Sequence, residues 1–187
     1  VRIGIGSDQR IGYSFIYPGV GYGGACFPKD LKALTKIAEN NGYTAQLITA
    51  VEKVNNEQKL VIAQKIIDRF GEDLTGFSFA IWGLAFKPGT DDMREAPSIN
   101  TIKELVKRGA KIKAYDPKAV DQAKELFLKG IENITYMDSK YEVLKDSAAL
   151  ILHTEWKEFR SPDFEEIKAQ LKSSIIFDGR NQYIAYD

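Results

Sequence analysis

Cysteine and histidine are almost missing from this 187-residue sequence, which contains one of each. A lone cysteine cannot form an internal disulfide, so the chain is not a secreted disulfide scaffold. One cysteine and one histidine are also too few ligands for a structural zinc site, and we expect no metal. No apolar run approaches the ~20 residues that cross a bilayer, and no basic-then-apolar signal segment stands at the start. We therefore expect a cytoplasmic protein with no membrane partner.

An excess of either charge is missing too. The sequence has 26 Lys and Arg against 26 Asp and Glu, a formal net charge of zero. Broad nucleic-acid binding needs a basic surplus, so we expect no nucleic-acid partner. Hydrophobic residues make up 44% and charged residues 28%, which is the mix of an ordinary globular protein. The sequence opens on Val1 rather than on a methionine, and we expect it to be a piece of a longer protein.

A change in pattern divides the sequence near residue 74. Before it, a glycine-rich stretch is followed by apolar residues at helical spacing over 31–38, and then by a longer helical pattern over 44–70. Asn55 and Asn56 would introduce a kink in that long helix. A helix of this length is typical of one that bridges two bodies or forms a dimer contact. We predict that 1–73 is the end of a helical, dimerising region.

After residue 74, strands and helices alternate. The patterns predict strands at 77–84, 111–115, 134–136, 148–153 and 174–177, with helices at 98–106, 120–127, 142–144 and 164–171. The first strand is a continuous apolar run, typical of a strand buried on both faces. Such alternation predicts a parallel, doubly wound sheet. The predicted fold class is therefore α/β, with a helical segment followed by a Rossmann-like domain at 74–187.

Three early glycines imitate a dinucleotide-binding fingerprint. Gly19, Gly21 and Gly24 satisfy G-x-G-x-x-G, but no apolar strand leads into them, and the predicted helix begins only after Pro28. The pattern favours a plain flexible loop or a loop whose backbone approaches a ligand closely. The strand at 77–84 stands where a nucleotide-binding unit would begin, yet the turn after it lacks the later glycines. Asp116, after the next strand, imitates a ribose-binding acid. Because the glycine fingerprint is incomplete, we expect a nucleotide to be bound in a different manner from a dinucleotide.

Cys26 is the strongest candidate nucleophile. It lies two residues before Pro28, at the predicted start of a helix, where the helix dipole and the nearby Lys29 favour a thiolate. Asp30 is the nearest carboxylate. A lone cysteine is more often a small buried apolar residue, but the glycine loop before it and the Pro-Lys-Asp sequence after it favour an accessible thiol. A Cys26–His153 hydrolase pair is an alternative, although a lone histidine at a strand end is usually just packed.

Basic residues follow several predicted strands. Lys87 and Arg180 come after the first and last strands, and Arg94 follows a polar turn. Ligands of open parallel sheets bind at the carboxyl ends of the strands. Two cations at that edge would suit a pyrophosphate, which arginine can bind with two hydrogen bonds. Surface lysines and arginines are also common without any such role.

Ordered motifs along the whole chain resemble the UDP-glucose/GDP-mannose dehydrogenase family. These are the segments 21–30 (GYGGACFPKD), 83–95 (GLAFKPGTDDMRE), 115–117 (YDP), 154–156 (TEW) and 177–180 (FDGR). The first resembles the catalytic-cysteine motif of the family, and the second the opening of its UDP-binding domain. Ala25 departs from the Gly-Gly-His-Cys form of the amino-sugar branch, so the chain is most similar to the branch that oxidises UDP-glucose.

The resemblance implies an NAD-dependent oxidation of UDP-glucose to UDP-glucuronate in two hydride transfers. Cys26 would form a thiohemiacetal and then a thioester, and Asp30 would activate the hydrolytic water or stabilise the oxyanion. Lys29 and Arg94 would contact NAD. The implied contacts to the UDP-sugar are Arg10, Phe15, Ile16, Tyr17, Pro18, Gly19, Gly23, Phe86, Lys87 and Arg180. Arg10 would reach the substrate of a neighbouring subunit in a homodimer.

The resemblance also implies that an N-terminal NAD-binding domain is missing. We therefore expect this polypeptide alone not to turn over UDP-glucose. A non-catalytic nucleotide-sugar-binding and dimerisation module remains the alternative of a different class. Rapid alkylation of Cys26 near neutral pH would favour the enzyme, and an inert thiol would favour the module.

Overall fold

A five-stranded parallel sheet forms the centre of the C-terminal part in a computed structural model of the chain, which describes residues 1–13 and 16–183. Its strands are β1 (Ser78–Trp82), β2 (Lys111–Tyr115), β3 (Ile134–Tyr136), β4 (Ala149–Leu152) and β5 (Ile176–Asp178). Their spatial order is β3-β2-β1-β4-β5, and every neighbouring pair is parallel. The chain thus crosses over after β3 and winds outward in both directions from β1. This confirms the predicted doubly wound α/β class.

Helices precede the sheet and connect its strands. They are α1 (Arg2–Gly6), α2 (Cys26–Asn40), α3 (Gln46–Gln58), α4 (Val61–Phe70), α5 (Pro97–Lys107), α6 (Val120–Gln122) and α7 (Phe164–Gln170). A π-helical turn, Ala123–Phe127, continues α6, and two 3-10 turns span Glu142–Leu144 and Lys157–Phe159. No helix among the described residues is long and apolar enough to cross a membrane.

Strand β1 is buried on both faces because its residues alternate between two apolar layers. Phe79 and Ile81 pack with α4 and α5, whereas Ala80 and Trp82 pack with Phe159 and the side of α7. All four strand residues are fully buried. A strand enclosed in this way needs apolar residues at every position, and this explains the continuous apolar run in the sequence.

The long helix predicted over 44–70 is two helices. The break falls at Lys59 and Leu60, not at Asn55 and Asn56 as predicted. Asn55 stays inside α3, because its side chain bonds to the backbone of a distant loop rather than to its own helix. After the break, α4 turns to pack Ile62 and Ile66 into the core beside the sheet.

The turn after β1 is held by one buried carboxylate. Asp116 Oδ2 accepts hydrogen bonds from the backbone N–H groups of Leu84 and Ala85 at 2.7 and 3.2 Å, and from Trp156 Nε1 at 3.1 Å. Its Oδ1 accepts from the N–H groups of Lys118 and Ala119 at 2.8 and 2.9 Å. The resemblance of Asp116 to a ribose-binding acid is therefore misleading. Its carboxylate accepts the backbone amides that a dinucleotide-binding turn would present to a phosphate.

Replacing Asp116 by alanine should destabilise the fold by about 3 kcal/mol or more, because several buried N–H donors lose their acceptor at about 1–3 kcal/mol each. Urea unfolding of the purified chain measures the loss. The exposed Asp121, replaced by alanine, is the matched control and should change the free energy of unfolding by less than about 0.5 kcal/mol. Equal, small losses in the two variants would contradict this role for Asp116.

Candidate functional site

Cys26 is exposed and is the first residue of α2. The helix begins two residues earlier than predicted, so Pro28 is its third residue, and the thiol lies in the first turn of a 15-residue helix. The free N–H groups and the dipole of such a helix end favour a negative charge. An exposed thiol in this position can reach a substrate.

The loop before Cys26 packs against the segment that follows β1, residues 86–95, which we call the strap. Gly24 has a φ of +90° and donates its backbone N–H to the carbonyl of Arg94 at 2.7 Å. A Cβ at Gly23 would lie 2.5 Å from the carbonyl oxygen of Glu95 and 3.1 Å from Phe86 Cβ. Only glycine fits so close to another backbone, and this approach brings Cys26 to the carboxyl end of β1.

The strap presents two cations beside this loop. Both Arg94 Nε and Arg94 Nη2 donate to the Asp92 carboxylate, at 2.9 and 2.7 Å, and these bonds hold the pKa of Asp92 below its usual value. The pKa of Arg94 is raised, first by the hydrogen bonds to Asp92 and also by charge interactions with Asp92 and Cys26. The ammonium of Lys87 lies 5.3 Å from the ring centroid of Phe86, within cation–π range.

Polar residues that the sequence analysis did not assign to the site fix this arrangement. Asn55 Oδ1 accepts from the backbone N–H of Tyr22 at 2.8 Å, and its Nδ2 donates to the carbonyl of Tyr22 at 3.2 Å. Lys59 Nζ lies 2.9 Å from Glu95 Oε2, and Lys32 Nζ lies 3.1 Å from Glu95 Oε1. The hydrogen bond from Lys59 is the main cause that lowers the pKa of Glu95. In the sequence, the one indication of this ion-pair network was Lys59, a lysine inside the otherwise amphipathic helical pattern over 44–70.

A second group of candidate residues meets at the ends of β4 and β5. Gly19 contacts the guanidinium of Arg180 so closely that a Cβ there would clash. Arg180 Nη2 donates to Glu155 Oε1 at 2.7 Å, and both side chains are largely buried. The hydroxyl of Tyr17 donates to the carbonyl of Asn181 at 2.7 Å. The structure thus brings Gly19 to Arg180 and Tyr17 to the neighbouring Asn181.

The exposed Pro18 and the half-buried Ile16 lie on the same loop, and Asn181 Nδ2 donates to the carbonyl of Pro18 at 3.3 Å. Phe15 lies outside the described residues.

Three predicted site residues point to solvent. The side chains of Lys29 and Asp30 are 73% and 67% exposed and pair with each other at 3.1 Å. Asp30 is four residues after Cys26, so both lie on one face of α2. Arg10 is exposed and bonds to Asp8 in its own loop, through Nε at 3.0 Å and Nη2 at 2.6 Å. The structure does not connect Arg10 to the other candidate residues of this chain.

His153 does not form a dyad with Cys26. It is 5% exposed, and among the described residues neither ring nitrogen has a hydrogen-bond partner. Burial, with a smaller effect from Arg180, lowers the pKa of His153 to about 3. A neutral imidazole enclosed in the core cannot exchange a proton with an exposed thiol, so the hydrolase alternative has no geometric support. No group of three or more metal-ligating acidic, histidine or cysteine residues occurs in 1–13 and 16–183.

The described part of the chain has exposed cations but no dinucleotide cradle around its early glycines. No strand lies ahead of Gly19 in the part that the structure describes, and the amides after β1 are bonded to Asp116. The exposed guanidinium of Arg94 and ammonium of Lys29 fit an anionic cofactor that approaches from outside. The residues present therefore fit one side of an NAD site.

A doubly wound sheet with cations at its carboxyl edge and an exposed thiol beside it defines a nucleotide-binding α/β protein of the dehydrogenase type. The family model for the UDP-binding domain of the UDP-glucose/GDP-mannose dehydrogenase family matches residues 80–185, and the model for its central domain matches residues 1–57. The chain belongs to this family. The two matches leave 58–79 between them, and the division near residue 74 stays a prediction.

Individual relatives agree with the family match. The UDP-glucose 6-dehydrogenase of Pseudomonas aeruginosa is 44% identical over 185 residues, which are 98% of this chain and 41% of that protein. The enzyme of the same name from Rhizobium meliloti is 40% identical over 183 residues, again 98% of this chain and 41% of that protein. The structure of a UDP-glucose dehydrogenase from Pyrobaculum islandicum superposes with a TM-score of 0.81 at 31% identity, covering 96% of this chain and 39% of that one. The chain thus spans well under half the length of these relatives.

Replacing His153 by glutamine should make the stability of the chain less sensitive to acid. The unfolded chain binds a proton on the imidazole below about pH 6.5, whereas the folded chain does not do so until about pH 3. Stability is therefore lost as the pH falls through that window, by about 2 kcal/mol between pH 7 and pH 5. Urea unfolding of both proteins at the two pH values measures the difference. His153 is the only histidine, and parallel pH dependences would contradict its burial as a neutral group.

Proposed function

We propose that this chain is the thiol-bearing and UDP-binding portion of an NAD-dependent UDP-glucose 6-dehydrogenase, which oxidises UDP-glucose to UDP-glucuronate. The observation that supports this most is the exposed Cys26 at the start of α2, packed through Gly23 and Gly24 against the strap at the carboxyl end of β1. Ligands of parallel sheets bind at that edge. The names of the relatives agree with the chemistry that such a thiol would perform.

The UDP-sugar would lie between the strap and the loop that carries Gly19. Phe86 is half-buried and presents its ring beside the exposed ammonium of Lys87, which is free to bind a phosphate. Arg180 is held by Glu155 and therefore offers a fixed guanidinium for a bidentate contact. Gly23 lets the loop of Cys26 lie directly against this strap. Such a site would hold the nucleotide end of the UDP-sugar and thereby orient C6 of the sugar toward the thiol.

Cys26 would perform the covalent step on the C6 aldehyde. The thiolate donates an electron pair to C6, the carbonyl electrons move to oxygen, and that oxygen takes a proton to give a thiohemiacetal. Lys29 and Arg94 would contact bound NAD, which would supply the hydride acceptor for both oxidations. The second oxidation leaves a thioester on Cys26, and water hydrolyses it to the carboxylate and the free thiol. Asp30, on the same face of α2, would take a proton from that water.

The helices before the sheet would provide the dimer contact. Leu34 and Ile37 on α2 and Leu47 and Val54 on α3 are large apolar side chains that are 49% to 78% exposed. A monomer rarely leaves so much apolar surface uncovered on two adjacent helices. We propose that this face pairs with a second copy of the chain, and that the exposed Arg10 contacts the substrate of that copy.

Replacing Cys26 by serine in the enzyme that contains this chain should lower UDP-glucuronate formation at least about a thousandfold, because no thioester can form. Replacing Asp30 by asparagine should slow hydrolysis, so that a thioester accumulates on Cys26. Acid quenching during turnover of radiolabelled UDP-glucose, followed by peptide mapping, detects it. Full activity of the serine variant, or label on a peptide without Cys26, would contradict the mechanism.

Replacing Lys87 by methionine should weaken the binding of UDP about tenfold, the effect of losing one charge-assisted contact. Thermal-shift titration of the chain with UDP measures this, with GDP and NAD as comparison ligands, since a site stabilises the fold only with its own ligand. Lys103 is exposed on α5, and its methionine variant is the matched control. If both variants bind UDP like the unmodified chain, Lys87 does not hold the phosphates.

A further inference from the structure

We propose that Glu95 is a positioning residue that holds Arg94 beside Cys26, acting through its ion pairs with Lys59 and Lys32. This inference rests on the proposed role of Cys26 as nucleophile and adds a residue outside the catalytic and ligand-binding groups named above. Glu95 lies at the C-terminal end of the strap, directly after Arg94. Its carboxylate contacts Lys32 on α2 and Lys59 at the break between α3 and α4.

The carboxylate of Glu95 joins three elements. Its Oε2 lies 2.9 Å from Nζ of Lys59, a side chain that is only 2% exposed, and its Oε1 lies 3.1 Å from Nζ of Lys32 on α2. A lysine buried to this extent needs a partner charge, because an unpaired ammonium in the core is strongly unfavourable. Lys59 therefore fixes where the carboxylate of Glu95 must lie.

The backbone of Glu95 is strained in a way that serves the loop of Cys26. Glu95 has a φ of +54°, a left-handed conformation that residues other than glycine rarely adopt. Such a conformation persists only where the surroundings impose it, and it is often found at functional sites. Here the two ion pairs of the side chain, together with the hydrogen bond from the Ala96 N–H to the carbonyl of Met93 at 3.0 Å, hold the residue in place.

This conformation turns two successive carbonyls toward two successive glycines. The carbonyl of Arg94 accepts the N–H of Gly24 at 2.7 Å, and the carbonyl of Glu95 lies against Gly23. Relaxation of Glu95 to an ordinary φ would redirect both carbonyls and separate the strap from the loop. Arg94, whose carbonyl is bonded to Gly24 two residues before Cys26, would move away with the strap. Glu95 thus acts on the thiol through the backbone and through Arg94.

The test measures the rate of Cys26 alkylation by iodoacetamide as a function of pH in the Glu95→Gln variant of the full chain. The pH at half-maximal rate should rise by roughly half a unit, the size of the effect of an exposed charge pair, because Arg94 no longer favours the thiolate. A fall in this midpoint would identify a different role for Glu95. If Glu95 acted only as a nearby negative charge, its neutralisation would lower the midpoint and overturn the proposal.

Two further variants separate positioning from general stability. Arg94→Met should raise the midpoint by itself, and adding Glu95→Gln to it should cause no further rise, because Glu95 acts through Arg94. Additive shifts would contradict the proposal. Glu39→Gln is the matched control, because it removes an exposed ion pair between Glu39 and Lys36 on α2. This variant should leave the midpoint unchanged.

The design remains decisive if Glu95→Gln does not fold. Lys32→Met removes only the partly exposed half of the ion-pair network, and in a chain with a near-normal melting temperature it should raise the midpoint by more than Lys36→Met, which removes a cation from α2 that does not contact Glu95. An unchanged or lowered midpoint in this variant would also overturn the proposal. Failure of the dehydrogenase function is a separate result, since it would appear as unchanged turnover in the Cys26→Ser enzyme whatever the alkylation midpoints are.

Discussion

The contact between the Cys26 loop and the strap is the constraint on which the arrangement of the site depends. Cys26 begins a helix that precedes the sheet by many residues, and Arg94 follows the first strand of that sheet. The two residues lie near each other because Gly23 and Gly24 allow the backbone of the Cys26 loop to lie directly on that of the strap. A side chain at Gly23 or Gly24 would separate the thiol from the sheet edge. The ion pairs of Glu95 hold the opposite side of the same contact.

The buried carboxylate of Asp116 explains why a doubly wound sheet can lack a glycine fingerprint. In a dinucleotide-binding turn, backbone amides bind the pyrophosphate. Here the amides of Leu84 and Ala85 are bonded to Asp116, so an anionic ligand must be bound by side chains instead. The cations at the strand ends, Lys87 and Arg180, are suited to that task. Their flexible or forked geometry also permits a nucleotide to lie across the edge rather than into the turn.

Features encoded by neighbouring residues could be predicted from the sequence, whereas those that depend on distant contacts could not. The strand at 77–84 was predictable because burial on both faces leaves a continuous apolar run, and Cys26 at a helix start followed from Pro28. The break at Lys59 was not, since the buried ammonium of Lys59 pairs with Glu95, which lies 36 residues further along the chain. Asn55 was interpreted as a kink because nothing nearby in sequence indicates that its side chain bonds to Tyr22.

A crystal structure of the enzyme that contains this chain, in complex with UDP-glucose, tests the central claim most directly. The account predicts that the uracil and phosphates lie along the carboxyl edge of the sheet, with the sugar C6 within about 4 Å of Cys26 Sγ, close enough for attack. A nucleotide bound elsewhere on the molecule, or a C6 atom that faces away from the thiol, would contradict it.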